Sequence, residues 1–431
     1  MVTDTPAPAP APTARQLAAL AVPAVAVGVL CALTLLALSV LADRLQRLLW
    51  TTLPDWAGVA DGSRLWTFGM LTAVGFVVGV IVWKVPGHAG PDPATTGLVS
   101  TPLTLPVLPG LALTILVGLA GGVSLGPENP IIAINTALTV WLVGRMWKKV
   151  PVEVAIMIAA AATIGAMFGT PVAAALVFTE VVAAQGDRQL WSTLFAPLVA
   201  AGAGALTMVF FASPALAVQV PAYDDPRLLD LVTGSAVALI AALLCLVAVY
   251  AFPVVHRAFH WLRNPVLAIT AGGMVLGLLG ALGGELTLFK GLDEMKELTA
   301  SAGDKTTGEL ALITVVKLLA LLVAAGCGFR GGRIFPAVFI GVGVGLTAHG
   351  ALPDIPLAVA VASGVLGAVL VVARNGWLAL FMGVTTVADI EVLPVLCIVV
   401  LPVWLLVARR PEMLIHTEPE AVPKAGAGAA A

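Results

Sequence analysis

From about Leu17 to Ala408 the chain is a near-unbroken series of apolar blocks, separated only by short Gly/Pro clusters. A hydrocarbon bilayer core offers no water to an unpaired peptide group, so a chain of this kind must be helical wherever it meets lipid. The blocks fall near 17–48, 65–85, 106–122, 127–147, 151–167, 171–184, 191–212, 229–256, 265–282, 309–326, 334–350, 355–373, 377–388 and 392–408. A straight span takes about 20 residues at 1.5 Å each, and several blocks are shorter than that. Composition supports the same class. Of 431 residues 60% are hydrophobic and 11% charged, where soluble proteins carry roughly a quarter charged. Too few polar residues remain to coat a soluble globule. A net charge of −2 gives no basic surface for phosphates, which excludes a nucleic-acid partner. The expectation is an all-α, polytopic integral membrane protein.

Residues 1–16 read as a disordered Pro/Ala-rich N-terminal tail, 17–215 as a first membrane half, 216–408 as a second, and 409–431 as a C-terminal tail. The apolar run from Leu17 to Leu41 is too long for a signal-peptide core and reads as the first span. Short segments interrupted by Gly and Pro in matching positions of two halves point to a transporter built from inverted repeats. GPENP (126–130) opens a helix in the first half and GGRIFP (331–336) opens one in the second. Arg409 and Arg410, just past the last block, favour a cytoplasmic C-terminus.

No enzyme is expected. GVSLG (122–126) matches the hydrolase elbow G-x-S-x-G, but that elbow needs a strand-to-helix turn and acid–base partners. Cys31, Cys245, Cys327 and Cys397 are far apart in apolar stretches, and His88, His256, His260, His349 and His416 are scattered. Neither a metal nor a cofactor is expected from such spacing.

Four segments carry groups that bear on function. In GGVSLGPENPIIAIN (121–135), Glu128 sits at a Gly/Pro break leading into an apolar helix. A carboxylate at membrane depth costs about 3 kcal/mol on insertion scales and marks function by default. A helix start presents unpaired N–H groups and partial positive charge, so it binds anions. Glu128 is then a tethered anion able to take the seat of a permeating one, and protonation would release it. The alternative is a first-turn Glu that complements its own helix dipole. In GFRGGRIFPAVFIGVGVG (328–345), the amides of Arg333, Ile334 and Phe335 would face an anion, with Arg330 and Arg333 adding charge; otherwise both arginines snorkel to the interface. GHAGPDPATTGL (87–98) reads either as a further broken-helix loop or as a surface turn. Glu180, near the end of FGTPVAAALVFTEVV (168–182), is either a buried acid or an interfacial helix end.

Together these segments resemble the CLC family of chloride channels and chloride/proton exchangers, and look most like its bacterial YfeO-type ion-transport branch. The resemblance covers about residues 17–415. The family's gating segment, Gly-Gly-x-x-Leu-Gly-(Arg/Lys)-Glu-Gly-Pro, falls without gaps on Gly121, Gly122, Leu125, Gly126, Glu128 and Pro130. Pro127 and Asn129 depart from it. The Gly-x-Phe-x-Pro segment is similar to Gly332–Pro336, with Phe335 displaced by one position. Gly169–Ala173 looks like the family's Asn-x-Pro helix start. GHAGPDP resembles its Gly-Ser-Gly-Ile-Pro loop, with Ala89 and Gly90 at the Ser-Gly position. Met413 falls where the family places an anion-contacting tyrosine. Exchangers of the family carry an internal glutamate at the end of the helix that holds Pro171; Val181 falls there, with Glu180 just before it.

The resemblance implies a CLC-like fold of two inverted-topology halves with broken and tilted helices, in a homodimer with one pathway per subunit in a bacterial plasma membrane. It implies Glu128 as gate and proton carrier, with Glu180 as the candidate internal proton residue. The anion would lie against Gly126, Pro127, Glu128, Asn129, Arg333, Ile334, Phe335, Ala89, Gly90 and Met413. Chloride is the first-choice substrate, with fluoride, nitrate or another small anion open, protons and membrane lipid as the other partners. The competing reading is an unrelated secondary transporter of a small organic anion whose carboxylate binds Arg330 and Arg333. A geometric check separates the two: the helix starts near 127 and 333 must converge on one point.

Overall fold

The computed structural model describes residues 13–60, 62–99, 101–183, 190–212 and 216–415. Most of the two expected tails lies outside these residues. Among the described residues helices are the only repetitive structure. They are α1 (Ala14–Arg47), α2 (Leu53–Ala57), α3 (Arg64–Lys84), α4 (Leu108–Ala120), α5 (Glu128–Met146), α6 (Val152–Phe168), α7 (Pro171–Ala183) and α8 (Leu190–Phe211). Then follow α9 (Leu228–His260), α10 (Pro265–Gly283), α11 (Leu292–Ala300), α12 (Thr307–Gly326), α13 (Ile334–Ala351), α14 (Leu357–Ala373), α15 (Gly376–Val387) and α16 (Leu393–Val407). Each apolar block of the sequence becomes a helix. The charged nine-residue α11 and the five-residue α2 escape a reading based on apolar runs.

The helices repeat as two series. α1 and α9 have 34 and 33 residues, α6 and α14 have 17 each, and α7 and α15 have 13 and 12. α1, α6 and α8 pack on one another, as do α9, α14 and α16. Corresponding helices also meet across the molecule: α3 lies along α10, and α7 touches α15. The stops correspond as well. α6 ends at Gly169 in the left-handed region (φ 67°), and Pro171 opens α7, a helix stop and start that those residues favour. α14 ends at Arg374, also left-handed (φ 52°). Asn375 then caps α15, accepting from the Leu378 N–H at 2.7 Å. The Arg374 guanidinium bonds the carbonyl of Val407, the last residue of α16, and those of Arg410 and Pro411 just beyond it, at a helix end whose carbonyls have no partners within the helix.

Lipid supplies no hydrophobic drive between helices, so close backbone approach through small residues must do the packing. The α3–α10 contact shows it. Gly75 on α3 meets Gly273 on α10, Gly79 of α3 lies against Val266, and Gly277 of α10 lies against Phe68. A Cβ at Gly75 would come within 2.7 Å of the Ile269 carbonyl oxygen, and one at Gly79 within 2.8 Å of Val266 Cα. Polar side chains tie α1, α5 and α6: Asn135 donates to the Cys31 carbonyl (3.2 Å) and to Thr163 Oγ1 (3.0 Å). Large apolar side chains point outward, among them Phe210 on α8 and Val247 and Val254 on α9. Among the described residues eight helical segments are long and apolar enough to cross a bilayer. A soluble protein would not tolerate so much exposed apolar surface; this is a multi-pass membrane protein.

Overpacking a well-filled contact costs about 1–3 kcal/mol. Gly75→Val is therefore expected to lower the thermal midpoint of the detergent-purified protein by several degrees. Gly69→Ala, where a Cβ meets nothing within 4 Å, should leave it unchanged.

Candidate functional site

The two Gly/Pro breaks meet. Gly126 donates to the Gly332 carbonyl at 2.9 Å and Gly332 donates back to the Gly126 carbonyl at 2.6 Å, an isolated antiparallel bridge. α5 and α13 start immediately beyond it, so both helix N-termini open at one place. Glu128, the first residue of α5, has 0% exposure. Its Oε1 accepts the Phe335 N–H at 2.7 Å, and its Oε2 is buried with no hydrogen-bond partner. The acid of one half thus caps the helix of the other. Gly126 and Gly332 make room for it, since a Cβ at either would collide with the Glu128 carboxylate.

Two of the residues expected against the anion offer it no N–H. The Gly126 N–H is engaged by Gly332, and Pro127 has no N–H to offer. Their part is geometric: they seat Glu128. The displaced Phe335 does supply the decisive amide. Its ring meets Phe168 edge-on at 5.8 Å, and Phe168 meets Phe381 of α15 at 5.9 Å, so the α6–α7 junction closes one side of the group. A cleft lined by Ser39, Asp43, Gln46, Phe289, Lys290 and Glu294 reaches Pro127.

The 86–97 loop joins the same assembly. Gly87, His88, Ala89 and Gly90 all have positive φ, 67°, 51°, 54° and 87°. For His88 and Ala89 that conformation costs about 1–2 kcal/mol each. Arg330 holds it in place. Its guanidinium donates to the carbonyls of His88 (2.8 Å), Ala89 (3.2 Å) and Gly90 (3.0 Å). Arg333 bonds the Met413 and Thr96 carbonyls. Asn129 reaches the Gly97 carbonyl at 3.4 Å, and the Ile415 N–H bonds the Ala94 carbonyl at 2.8 Å. So Phe335, Ile334 and Arg333 adjoin Glu128 and its neighbour Asn129, Met413 is joined to them through Arg333, and Ala89 and Gly90 are tied to Arg330. The role expected of the arginine side chains changes, however. Their donors are turned to backbone carbonyls, which removes the carboxylate fork that an organic-anion carrier would need.

Glu180 stands apart. It accepts the Gly376 N–H at the start of α15, and its Oε2 is buried without a partner. Among the described residues no hydrogen bond joins it to the Glu128 group.

Two groups were not singled out from the sequence. Lys317 of α12 is 0% exposed, and its ammonium donates to the carbonyls of Thr287 (3.2 Å), Leu288 (2.6 Å) and Phe289 (2.9 Å). Phe289 in turn donates its N–H to Gly122 at 3.1 Å, bracing the turn that leads to Gly126. A lone Lys in an apolar span was the available signal. The second is Asp92, which meets His256 and His260 through their Nε2 atoms at 2.8 and 3.2 Å. Burial alone would raise the Asp92 carboxyl. The His256 bond, the Ala94 amide and the charges of His256 and Arg330 outweigh burial and hold it below the usual carboxylate value. These two histidines are not scattered, as their sequence positions suggested.

With this geometry in place, likeness to known proteins decides the family. The family model described as "Voltage gated chloride channel" matches residues 74–403, which include both broken-helix segments. The chain belongs to the CLC family. It is 48% identical over 402 residues to "Putative ion-transport protein YfeO" of Salmonella newport (strain SL254), covering 92% of this chain and 97% of that one. It is 46% identical over 410 residues to the protein of the same name from Escherichia coli (strain 55989 / EAEC), covering 95% and 98%. Among solved structures it is similar to a CLC-type fluoride/proton antiporter, with TM-score 0.73, 19% identity and coverage of 93% and 98%. It is also similar to a slow cyanobacterial Cl−/H+ antiporter, with TM-score 0.75, 17% identity and coverage of 91% and 95%. The fold is the CLC fold of two inverted halves, as the sequence led one to expect.

Hydrogen bonds to a charged partner contribute about 1.5–3 kcal/mol each, and the compact ammonium of a lysine does not reproduce the planar fork by which Arg330 donates from Nε and a terminal nitrogen at once. Arg330→Lys is expected to destabilise the protein by about 2–4 kcal/mol, read as a lowered thermal midpoint, and Arg330→Met by more.

Proposed function

We propose that this chain carries a small inorganic anion, chloride first, across the membrane by a CLC-type pathway whose gate is Glu128. One observation carries the reading: a fully buried carboxylate bonds the amide of Phe335 at the mouth of α13. Preorganised N–H groups at a helix start are an anion seat, and here a tethered anion fills it. A free anion takes the seat only when Glu128 leaves. Neutralising Glu128 by a proton removes the charge that the helix end attracts, so a proton from solution opens the pathway and chloride enters. The amides of Glu128, Asn129, Ile334 and Phe335 are the donors that remain for that anion. Proton coupling would require a second acid, and Glu180, with one carboxylate oxygen buried and unpartnered, is the proposed one. A homodimer with one such pathway per subunit completes the proposal, each subunit embedded in lipid and divided into halves near residue 216.

The test is chloride efflux from proteoliposomes with external pH recorded at the same time. Wild type is expected to move chloride with protons in the opposite sense. Glu128→Gln should reduce proton movement at least tenfold, and Glu180→Gln should lower it while chloride continues to flow. Chloride flux without proton movement in the wild type would leave Glu128 a gate alone. No chloride flux from folded protein would overturn the chloride assignment and call for a screen of fluoride and nitrate. Gly332→Ala puts a methyl group into the carboxylate seat; anion flux should fall at least tenfold in protein that still elutes as wild type.

A further inference from the structure

α9 ends in a His-x-x-x-His pair, and a four-residue spacing puts both rings on one helix face. The rings stack, with centroids 3.7 Å apart and planes 24° from parallel. Both Nε2 atoms face the same oxygen of Asp92, at 2.8 Å for His256 and 3.2 Å for His260. Asp92 comes from the 86–97 loop, 164 positions before His256. The three ligand atoms lie within 4.8 Å of one another.

The proton inventory of this cluster does not close with neutral rings. His260 Nδ1 lies 2.9 Å from the His256 carbonyl. A carbonyl can only accept, so Nδ1 carries the hydrogen. A neutral imidazole has one N–H, so His260 Nε2 then turns a lone pair toward the Asp92 carboxylate. Two lone pairs at 3.2 Å need a cation. One metal ion held by both rings and the carboxylate supplies that charge; a proton on His260 alone would also supply it, and a count of bound metal separates the two. Arg330 acts on Asp92 through its nearby charge but gives the shared oxygen no hydrogen, because its donors are turned to the carbonyls of residues 88–90.

We propose that Asp92, His256 and His260 form a binding site for one divalent transition-metal ion of the zinc class, with its remaining position open to solvent. Two imidazoles and a carboxylate suit zinc rather than magnesium or calcium, which prefer all-oxygen shells. Zinc–ligand bonds of about 2.0–2.1 Å in a tetrahedron place ligand atoms about 3.3 Å apart. The observed 2.8 and 3.2 Å are close to that spacing, and the stacked rings must swing apart for both Nε2 lone pairs to meet one ion, since a bound metal lies near the plane of each imidazole. The outer partners are in place: the His256 carbonyl fixes the His260 tautomer, and the Ala94 N–H holds the other Asp92 oxygen at 2.9 Å, the support that metal-ligating groups need. His260 is 46% exposed at its side chain, so the ion has a route in. Once bound, it ties α9 to the loop whose left-handed carbonyls Arg330 clamps, and so braces the frame under the Glu128 group. This site does not depend on which anion the pathway carries.

The test uses the full chain, free of any affinity tag, purified in detergent and stripped with a chelator. It is equilibrated with zinc at neutral pH, desalted, and its metal counted by mass spectrometry, with the thermal midpoint recorded with and without zinc. One zinc per chain and a raised midpoint are expected. His260→Ala and Asp92→Asn should each weaken binding at least tenfold and abolish the midpoint shift, while His260→Cys, which keeps a zinc ligand, should retain both. Magnesium should produce neither effect. Wild-type protein that holds no zinc, or His260→Ala protein that holds as much as wild type, would overturn the site.

Discussion

The two hydrogen bonds between Gly126 and Gly332 are the joint on which the rest of the molecule depends. Helices α5 and α13 start beside that joint, and a helix start leaves N–H groups without partners. In lipid such ends are intolerable; enclosed by protein they become a seat for negative charge. The bridge satisfies the backbone of both breaks, and Glu128 satisfies the Phe335 amide. Only glycine fits at either bridge position, because a side chain there would occupy the carboxylate's place. The same few atoms therefore close the fold and create its chemistry.

Buried cations support this joint indirectly. Lys317, Arg330 and Arg333 turn their donors to backbone carbonyls of irregular segments. Non-helical backbone at depth has unpaired carbonyls as well as unpaired amides, and a long cationic side chain can gather several of the former. The division of labour follows: cations take the carbonyls and the anion seat keeps the amides. It also explains how His88 and Ala89 remain in a left-handed conformation that L-residues avoid.

Much of this was legible in the sequence because bilayer physics leaves few choices. Apolar runs had to be helices, and a Gly/Pro break carrying Glu128 had to be enclosed by protein. Two such breaks in matching positions had to meet if they bound one ion. What could not be read was which partner each polar group finds. Arg330 and Arg333 look like anion attractors because their carbonyl partners are remote in sequence: residues 88–90 and Thr96 lie more than 200 positions away and Met413 lies 80 away. Gly126 looked like a donor because nothing local shows that Gly332 uses its N–H. α11 was missed because its charged residues break the apolar pattern. Lys317 does carry a signal in the sequence, a single charge in an apolar span, but not the identity of the three carbonyls it gathers. His256 and His260 gain meaning only once Asp92 is folded against them.

The bond between Glu128 and Phe335 spans 207 positions of chain, and that separation has a consequence for biosynthesis. Ribosomes add about 5–20 residues per second, so roughly 10–40 s pass between the emergence of the acid and that of its amide. During that interval the first half holds a carboxylate whose cap has not yet been made. The nascent helix must keep Glu128 protonated or leave it at the water interface until the second half inserts. The folding order of this protein is thus written into its ion seat: the gate can take its place only after the last third of the chain has begun to enter the membrane.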